Sequence, residues 1–324
     1  MPPETGPDVS VIIAAFNAQA TIERAIDSAL RQEGVTVEVV VVDDCSTDPT
    51  LAIARSFAPA PVRVVALEKN SGPGGARNAG LEVAKGRWVA VLDADDTMHP
   101  QRLARMIDRA EGRSAQIAVD NIEVVRDEGE AGESMFPREM LEGMPDLSLA
   151  GFIASNLMFE DSFSFGYMKP VFERAFIERH GLRYDTGLRI GEDYIFLASA
   201  LAEGGRCVVE PQALYAYHVR AGSISRVLEL HHVEAMLKAD AAFTQRYRLD
   251  GAALAAQAHR TRSLEQAASF LALVGHLKDR AALKALETAW RDPAALRHLR
   301  MPIAARLSRL SRPFTARKAA GQAG

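Results

Sequence analysis

The sequence predicts an α/β fold with a mostly parallel sheet that has helices on both faces, followed by a helical C-terminal region. Two observations lead to this fold class. In the N-terminal part, continuous β-branched runs alternate with segments of helical spacing. From about residue 228 onward the pattern becomes Ala-rich and helical. The 324 residues, 48% of them hydrophobic, can form a large core in one domain or two.

The alternation can be followed element by element along the chain. Four apolar runs predict buried strands, at 9–16, 37–44, 62–68 and 87–95. Amphipathic segments predict helices between and after them, at 21–32, 48–58, 74–86, 99–110, 231–247, 260–277 and 280–290. Continuous apolar strands between helices are typical of a parallel sheet, whose ligands bind beyond the carboxyl ends of the strands.

Composition excludes several classes of protein. The formal net charge is −4, so no overall basic field would attract nucleic acid, and we expect no nucleic-acid partner. No apolar run approaches the roughly 20 residues that span a bilayer. The first ten residues lack the pattern of a secretory signal, and Cys45 and Cys207 form no disulfide framework. These features predict a protein of the reducing cytoplasm.

The stretch VAVLDADDTMHP, residues 89–100, places three carboxylates at the end of a predicted strand, on Asp93, Asp95 and Asp96. Carboxylates this close repel one another, so the arrangement costs stability unless a cation is bound. Hard oxygen ligands suit Mg²⁺ or Mn²⁺, which leave coordination positions for the phosphates of a substrate. The alternative is an acidic turn that faces water. Asn17 and Asp44 follow two other predicted strands and would lie at the same edge of the sheet.

The stretch NSGPGGARNAG, residues 70–80, is the second candidate for a binding motif. Its glycines permit a tight turn, and the helix that follows offers free N–H groups and a positive dipole end to an anion. Arg77 can add a charged fork, so the segment suits a diphosphate. An ordinary loop between a strand and a helix remains the alternative, because the segment matches no standard phosphate-binding pattern.

Taken together, the motifs resemble a known family. In order and spacing, the segments that begin at residues 9, 37 and 70, the acidic stretch DADD and the later GEDYIFLASAL resemble the family-two inverting glycosyltransferases with a GT-A fold. The similarity is greatest to bacterial enzymes that build exopolysaccharides or other surface glycans. It extends over roughly residues 8–226 and implies a catalytic domain at 1–227, with 228–324 as a helical C-terminal region that has a basic amphipathic tail.

The resemblance assigns the nucleotide to the segment from Ala14 to Asn17 and to Asp44. Phe16 stands where the family often has tyrosine, so base stacking is kept while a hydroxyl is lost. Ala14 stands where proline is common, so the base contacts differ from the usual pattern.

The resemblance also divides the acidic stretch and the glycine-rich segment between donor and metal. Asp93 and Asp95 form the DxD motif, in which the first carboxylate favours the ribose. Either Asp95 or Asp96 takes the metal, and the sequence does not separate them. Arg77 matches a position that meets the diphosphate.

The GEDYIF stretch supplies the candidate general base. Glu192 and Asp193 lie at the predicted start of a helix, where acidic residues are also common for structural reasons alone. The resemblance favours Asp193 as the base that activates the acceptor, with Glu192 in support. Further along, the segment at 214–226 resembles a closing loop of the family, in which His218 or Arg220 could touch the diphosphate. A metal-binding role for His218 competes with an ordinary structural one.

The C-terminal tail combines positive charge with an apolar stripe. No acidic residue occurs from Pro293 to the end, and Ile303, Leu307, Leu310 and Phe314 would share one helical face. Such a tail could bind the anionic inner face of the cell membrane. It could equally pack on the main domain or on a second subunit.

These observations predict a metal-dependent, inverting transferase. It would move a sugar from a nucleotide diphosphate donor, with UDP as the expected nucleotide, to a hydroxyl of a glycan or lipid-linked acceptor. Two other classes remain as alternatives. The segment LDADDTM also resembles the nucleophile motif of haloacid dehalogenase-like phosphatases, although that motif should follow the first strand and precede a flap. A nucleotide-sugar-binding module without catalysis is the second alternative.

Overall fold

The computed structural model describes residues 6–58, 61–126, 132–159, 164–219, 228–294 and 296. The strands of this part are β1 (Val9–Ala15), β2 (Val37–Asp43), β3 (Val62–Ala66), β4 (Trp88–Val91), β5 (Thr97–Met98), β6 (Ile117–Val125), β7 (Glu133–Ser134), β8 (Val171–Glu173) and β9 (Cys207–His218). The helices are α1 (Ile22–Leu30), α2 (Thr50–Ser56), α3 (Gly72–Val83), α4 (Arg102–Glu111), α5 (Arg138–Glu142), α6 (Leu149–Ser155), α7 (Arg174–Arg179), α8 (Glu192–Ala202), α9 (Leu230–Arg246), α10 (Gly251–Lys278) and α11 (Ala282–Arg291).

The first half of the sheet is parallel, as the continuous apolar runs predicted. Strand β1 lies between β2 and β4, and β3 pairs with the far edge of β2, all in parallel. The four predicted strands are confirmed, and each begins within one residue of its predicted start. Every residue of β4 is buried, and only one residue of β1 is not, as expected for strands covered on both faces.

The second half of the sheet is mixed, and its strands were not predicted. The order of strands across the sheet is β3-β2-β1-β4-β8-β6-β9-β5, with β7 on β6. Strand β8 pairs antiparallel with both β4 and β6, whereas β6 and β9 run parallel. The short β5, directly after the acidic stretch, pairs antiparallel with β9. This pairing joins the acidic stretch to the second half of the chain.

Helix α3 packs closely on β1 beneath the predicted binding edge. A Cβ on Gly80 would lie 2.5 Å from Cγ2 of Ile12, a distance that real contacts do not allow. Glycine at this position therefore lets the helix approach the sheet. The approach places the first turn of α3 beside the carboxyl ends of β1 and β2.

The C-terminal helices pack against the remainder of the protein. Leu188, just before α8, shares an apolar cluster with Val233 and Met236 of α9 and Leu264 of α10. Helix α10 begins nine residues before its predicted start, where the side chain of Asp250 accepts a hydrogen bond from the amide of Ala253. The division into two domains remains a prediction. Among the helices that the structure describes, none is both long and apolar enough to cross a membrane.

Candidate active site

A cleft of about 1020 Å³ opens at the carboxyl ends of β1, β2 and β4. Nine of the ten predicted site residues line it, and Asp96 is the exception. The nine are Ala14, Phe16, Asn17, Asp44, Arg77, Asp93, Asp95, Glu192 and Asp193. The structure thus brings together residues from both halves of the sequence, while their roles in binding and catalysis remain predictions.

Phe16 and Asn17 form the part of the cleft at the end of β1. The side chain of Phe16 is 49% exposed and lines the cleft. Asn17 adopts a positive φ of 50°, and its Oδ1 accepts hydrogen bonds from the amide and the hydroxyl of Thr47 at 2.9 and 3.2 Å. Its own amide donates to Oγ of Ser46 at 3.0 Å. These bonds tie the end of β1 to the loop after β2.

Asp44 binds the start of α3. Its Oδ1 accepts from the amide of Ser71 at 2.6 Å, and its Oδ2 accepts from the amide of Gly72 at 2.9 Å. Burial raises the pKa of Asp44 although both hydrogen bonds oppose the rise. The glycine-rich segment therefore forms the predicted turn and helix start. Two of its backbone donors are already occupied by a carboxylate, which differs from the open anion site that the sequence predicted.

Four charged side chains form a closed ring in the centre of the cleft. Nη2 of Arg77 lies 2.8 Å from Oδ1 of Asp93, and its Nη1 lies 2.9 Å from Oδ1 of Asp193. Nζ of Lys169 lies 2.8 Å from Oδ2 of Asp93 and 2.9 Å from Oδ2 of Asp193. Each carboxylate contacts both cations, and each cation contacts both carboxylates. We call this arrangement the charge ring; Glu192 adds a third carboxylate through its contact with Nη1 of Arg77.

The contacts within the charge ring shift the pKa values of Asp93, Lys169 and the adjoining Glu192. Burial opposes ionisation of Asp93, but Lys169 and Arg77 together hold the pKa of its carboxyl well below its usual range. Burial likewise opposes the charge on Lys169, yet Asp193 and Asp93 raise the pKa of its amine. Burial and the neighbouring Asp193 raise the pKa of Glu192, and Arg77 limits the rise.

Arg77 binds carboxylates of the protein in this structure, and its predicted contact with the diphosphate remains a prediction. Both of its terminal nitrogens have such partners. Its side chain is only 5% exposed and lies against the ring of Tyr184, 5.5 Å from Cζ to the centroid. The reason is electrostatic, since three carboxylates converge on the place where Arg77 enters the cleft. Arg77 thus organises acidic side chains in this structure.

Lys169 is the functional residue that the sequence analysis missed. It precedes Pro170 just before β8, in a segment without a recognisable motif. Its partners lie 76 and 24 residues away in the sequence, so spacing gave no signal. Only the surplus of carboxylates among the predicted site residues indicated that a further cation was needed.

Asp96 and Asp95 face different surroundings. Oδ2 of Asp96 accepts from the hydroxyl of Tyr215 at 2.8 Å, and its Oδ1 accepts from the amide of His218 at 2.9 Å. Its side chain is 1% exposed, and burial together with Asp93 and Asp95 raises the pKa of Asp96 to about 8. Asp96 does not line the cleft, and both its oxygens have partners in the protein, so this geometry favours Asp95 over Asp96 as the metal ligand, and the assignment remains a prediction. Asp95 lines the cleft.

Glu192 and Asp193 occupy the first turn of α8, as predicted. Gly191 precedes them with a positive φ of 89°, a conformation that favours glycine. A Cβ on Gly191 would meet Cε of Met236 at 3.3 Å, so α9 lies directly against the turn. The turn aims both carboxylates into the cleft, where Asp193 is 21% exposed.

The predicted closing loop is only partly described. Nε2 of His218 lies 3.0 Å from Oγ1 of Thr97, and its backbone amide donates to Asp96. These contacts hold the end of β9 against the acidic stretch. Arg220 lies outside the described residues. Within the parts of the chain that the structure covers, no group of three His, Cys, Asp or Glu side chains could hold a metal ion by itself.

Part of the cleft wall comes from the second half of the chain. Tyr167 and Tyr217 pack edge to face with centroids 6.1 Å apart. Helix α9 contributes His232 and Met236, and α10 contributes Arg260. The C-terminal helical region therefore forms part of the cleft, which the sequence had not indicated.

Comparisons with known proteins agree with the family that the motifs resemble. The profile of glycosyl transferase family 2 matches residues 10–176. The succinoglycan biosynthesis protein ExoO of Rhizobium meliloti (strain 1021) is 58% identical over 308 residues, which cover 95% of this chain and 88% of that protein.

Two solved structures show the fold. S. aureus TarS 1–349 in complex with UDP-GlcNAc has a TM-score of 0.61 at 22% identity, covering 88% of this chain and 73% of that one. The mannosyltransferase PcManGT from Pyrobaculum calidifontis in complex with GDP-Man and Mn²⁺ has a TM-score of 0.57 at 20% identity, covering 93% and 81%. The predicted GT-A fold is confirmed.

Proposed function

This chain belongs to glycosyl transferase family 2, and we propose that it catalyses an inverting, divalent-cation-dependent transfer of a sugar from a UDP-sugar donor to a hydroxyl of a glycan or lipid-linked acceptor in bacterial exopolysaccharide biosynthesis. One observation carries the proposal. The charge ring joins Asp93, at the donor edge of the sheet, to Asp193, at the start of α8, within a single cleft. In a displacement reaction the leaving group lies on one side of the reacting carbon and the general base on the other. The groups that hold them must therefore share one cleft.

The donor half of the proposal rests on the end of β1 and the loops beside it. The half-exposed ring of Phe16 suits stacking of a nucleotide base, and Ala14, Asn17 and Asp44 line the same cleft. Asp93 would bind the ribose. UDP is proposed because TarS was solved with UDP-GlcNAc, although PcManGT was solved with GDP-Man.

A Mg²⁺ or Mn²⁺ ion fits this site when it is shared with the donor. Asp95 lines the cleft just beyond the end of β4, and its carboxylate is a hard oxygen ligand that suits such an ion. Since such ions commonly take only one or two protein carboxylates, Asp95 would hold the ion together with the donor diphosphate. When bound, the ion would neutralise charge on the diphosphate. The complex of PcManGT with Mn²⁺ agrees with this use of a metal.

The chemical step is assigned to Asp193. An inverting displacement brings the acceptor hydroxyl to the side of the sugar opposite the diphosphate, so its proton must be accepted on that side. Asp193 would accept it, while Lys169 and Arg77 hold the carboxylate in place. Glu192, which shares Nη1 of Arg77, would support this geometry. The acceptor would then lie along the wall that includes Tyr167, Tyr217 and α9.

The phosphatase alternative finds no support in the fold. Its nucleophile motif should follow the first strand, whereas the acidic stretch here follows β4. The chain then enters β5 and α4 without an intervening flap. A purely binding role differs from the proposal only in turnover.

The test of the function is direct. The protein would be screened by thermal shift against UDP-sugars and GDP-sugars with Mn²⁺, since a ligand at 100 times its Kd adds about 2.7 kcal/mol of stability. The stabilising donor would then be incubated with lipid-linked oligosaccharide acceptors, and release of the nucleoside diphosphate would be measured. Stabilisation without acceptor-dependent release would favour a binding module, and release of phosphate without a sugar nucleotide would favour a phosphatase.

We also propose contact with the anionic cytoplasmic face of the membrane. Helix α11 exposes Leu283, Leu286 and Trp290 by 84%, 69% and 82%, and their spacing places them on one helical face. The basic tail with its apolar stripe follows in the sequence but lies outside the described residues. Leucine and tryptophan beside basic residues suit the interface of an anionic bilayer.

Liposome flotation tests this contact. The variant Leu286→Ser/Trp290→Ser and a chain that ends at residue 293 should both bind anionic vesicles more weakly than the full chain. Leu254→Ser, which changes an exposed leucine on α10, is the matched control and should bind as the wild type does. Equal flotation of all four proteins would contradict membrane contact.

A further inference from the structure

We propose that the buried ion pair between Arg102 and Asp120, which lies outside the cleft, is a positioning element that fixes Lys169 and the acidic stretch in their reactive geometry. The inference rests on the proposed function, because its effect is on sugar transfer. Arg102 is the first residue of α4, and Asp120 lies within β6. Neither residue lines the cleft.

The pair itself is fully enclosed. Both side chains are 0% exposed. Nε of Arg102 donates to Oδ2 of Asp120 at 2.8 Å, and Nη2 donates to Oδ1 at 2.9 Å. This bidentate geometry holds the guanidinium in one plane and in one orientation.

The guanidinium then makes two contacts that lead toward the cleft. Nη2 of Arg102 donates to the backbone carbonyl of Lys169 at 2.5 Å. Its Cζ lies 5.1 Å from the centre of the Tyr215 ring. Lys169 is followed by Pro170, whose fixed φ further restricts the backbone at this point. The carbonyl contact therefore fixes the position from which the Lys169 side chain extends.

Both contacts lead to the same residue, Asp93. Lys169 reaches Asp93 through Nζ, as a member of the charge ring. Tyr215 reaches it from the other side, because its hydroxyl accepts a hydrogen bond from the amide of Asp93 at 3.2 Å and donates to Asp96 at 2.8 Å. Arg102 thus holds one support for the Asp93 side chain and another for its backbone.

Stability alone does not account for such a pair. Removing two charges from water is costly, and a buried ion pair is commonly no more stabilising than apolar side chains of similar volume. The ring of Tyr215 could also pack against an apolar neighbour, and the carbonyl of Lys169 needs only one donor, which a neutral group could supply. Only the guanidinium fixes the orientation of several groups at once. This matters because small displacements of reacting groups lower reaction rates strongly.

The experiment compares an apolar replacement with the wild type. The variant Arg102→Met/Asp120→Leu removes both charges together, so that no buried charge is left unpaired. We expect its thermal midpoint to stay near that of the wild type and its donor Kd to change less than about threefold. We expect kcat for sugar transfer to fall at least about tenfold, because the reacting groups are less well positioned. A stable double variant with kcat within about twofold of the wild type would overturn the inference.

A second variant decides the matter if the double variant does not fold. Arg102→Lys keeps the positive charge beside Asp120, but an ammonium cannot reproduce the planar fork that binds Asp120 twice while reaching the Lys169 carbonyl. We expect a folded protein with reduced kcat and nearly unchanged donor affinity. Unchanged kcat would overturn the inference by this route as well.

The action through Lys169 has its own readout. In a Lys169→Met background, Arg102→Lys should lower kcat by a smaller factor than in the wild type, because the group it positions is already gone. Equal factors in both backgrounds would show that Arg102 does not act through Lys169. A wild-type protein that transfers no sugar from any donor would instead count against the proposed function, so the two failures are distinguishable.

Discussion

Replacing Asp193 with asparagine tests the proposed general base. The side chain keeps its size, but it can no longer take a proton from the acceptor hydroxyl. General-base catalysis typically contributes 10²- to 10⁴-fold to a rate. At about 1.36 kcal/mol for each factor of ten, the transition state should lose about 2.7 to 5.4 kcal/mol of stabilisation.

The charge ring limits the loss in free energy of unfolding that the substitution causes. Asp193 contacts Nη1 of Arg77 and Nζ of Lys169, each at 2.9 Å. Both cations keep a second carboxylate in Asp93, and the asparagine oxygen can still accept one hydrogen bond. The loss is therefore about one charged hydrogen bond, or roughly 1.5 to 3 kcal/mol of unfolding free energy. The variant should remain folded, with a thermal midpoint several degrees lower.

The assay measures release of the nucleoside diphosphate with donor and acceptor both saturating, and donor affinity by calorimetry. Asp193→Asn should retain donor affinity near that of the wild type and lose at least about a hundredfold in kcat. Asp185→Asn is the matched control, since Asp185 is exposed, does not line the cleft, and its side-chain Oδ1 accepts a bond from the amide of Gly187 at 2.8 Å, which an asparagine oxygen can also accept. If Asp193→Asn kept more than about a third of kcat, the assignment of the base would be refuted.

The other predictions concern the metal site, the stacking of the nucleotide base and the packing of α3. Asp95→Asn should abolish the Mn²⁺-dependent part of UDP binding, whereas Asp96→Asn should retain it. Calorimetry with and without EDTA measures this part, and equal loss in both variants would contradict the assignment of the metal to Asp95. Phe16→Ala should weaken UDP binding by about 1 to 3 kcal/mol, with little change in thermal midpoint because the ring is 49% exposed; undiminished affinity would exclude stacking. Gly80→Ala should cost about 1 to 3 kcal/mol in urea unfolding, because its Cβ would lie 2.5 Å from Cγ2 of Ile12. In an Ile12→Ala background, which lacks Cγ2, the added cost of Gly80→Ala should be smaller. An unchanged midpoint for Gly80→Ala would show that the contact yields freely.

The parallel half of the fold was readable from the sequence because its strands are continuous and apolar. Strand β6 shows why the other half was not. Its sequence IAVDNIEVV contains Asp120 and Asn121, which are both fully buried. They are tolerated because Arg102 pairs with the first, and the amide of the second donates to the carbonyls of Phe136 and Pro211. Pattern rules classify such a segment as a loop, since the partners come from elsewhere in the chain.

The candidate site, like the fold, was only partly predictable from the sequence. Motif resemblance identified the residues that meet in the cleft, but not how their charges are balanced. The contrast between Asp95 and Asp96 depends on the hydroxyl of Tyr215 and the amide of His218, both more than a hundred residues away. Lys169 depends on the same kind of long-range contact. Sequence spacing carries no information about either.

The contact of α9 with the start of α8 has a consequence for engineering. Met236 packs against Gly191, and with Val233 it belongs to the apolar cluster that includes Leu188. A fragment cut before residue 228 would therefore expose this cluster and leave the turn that aims Asp193 unsupported. Exchange of the C-terminal helices between related enzymes would have to keep these contacts intact. With those kept, the exchange would change the part of the cleft that α9 and α10 line and leave the ends of β1, β2 and β4 unchanged. Under the proposed function, such an exchange would keep the donor and change the acceptor.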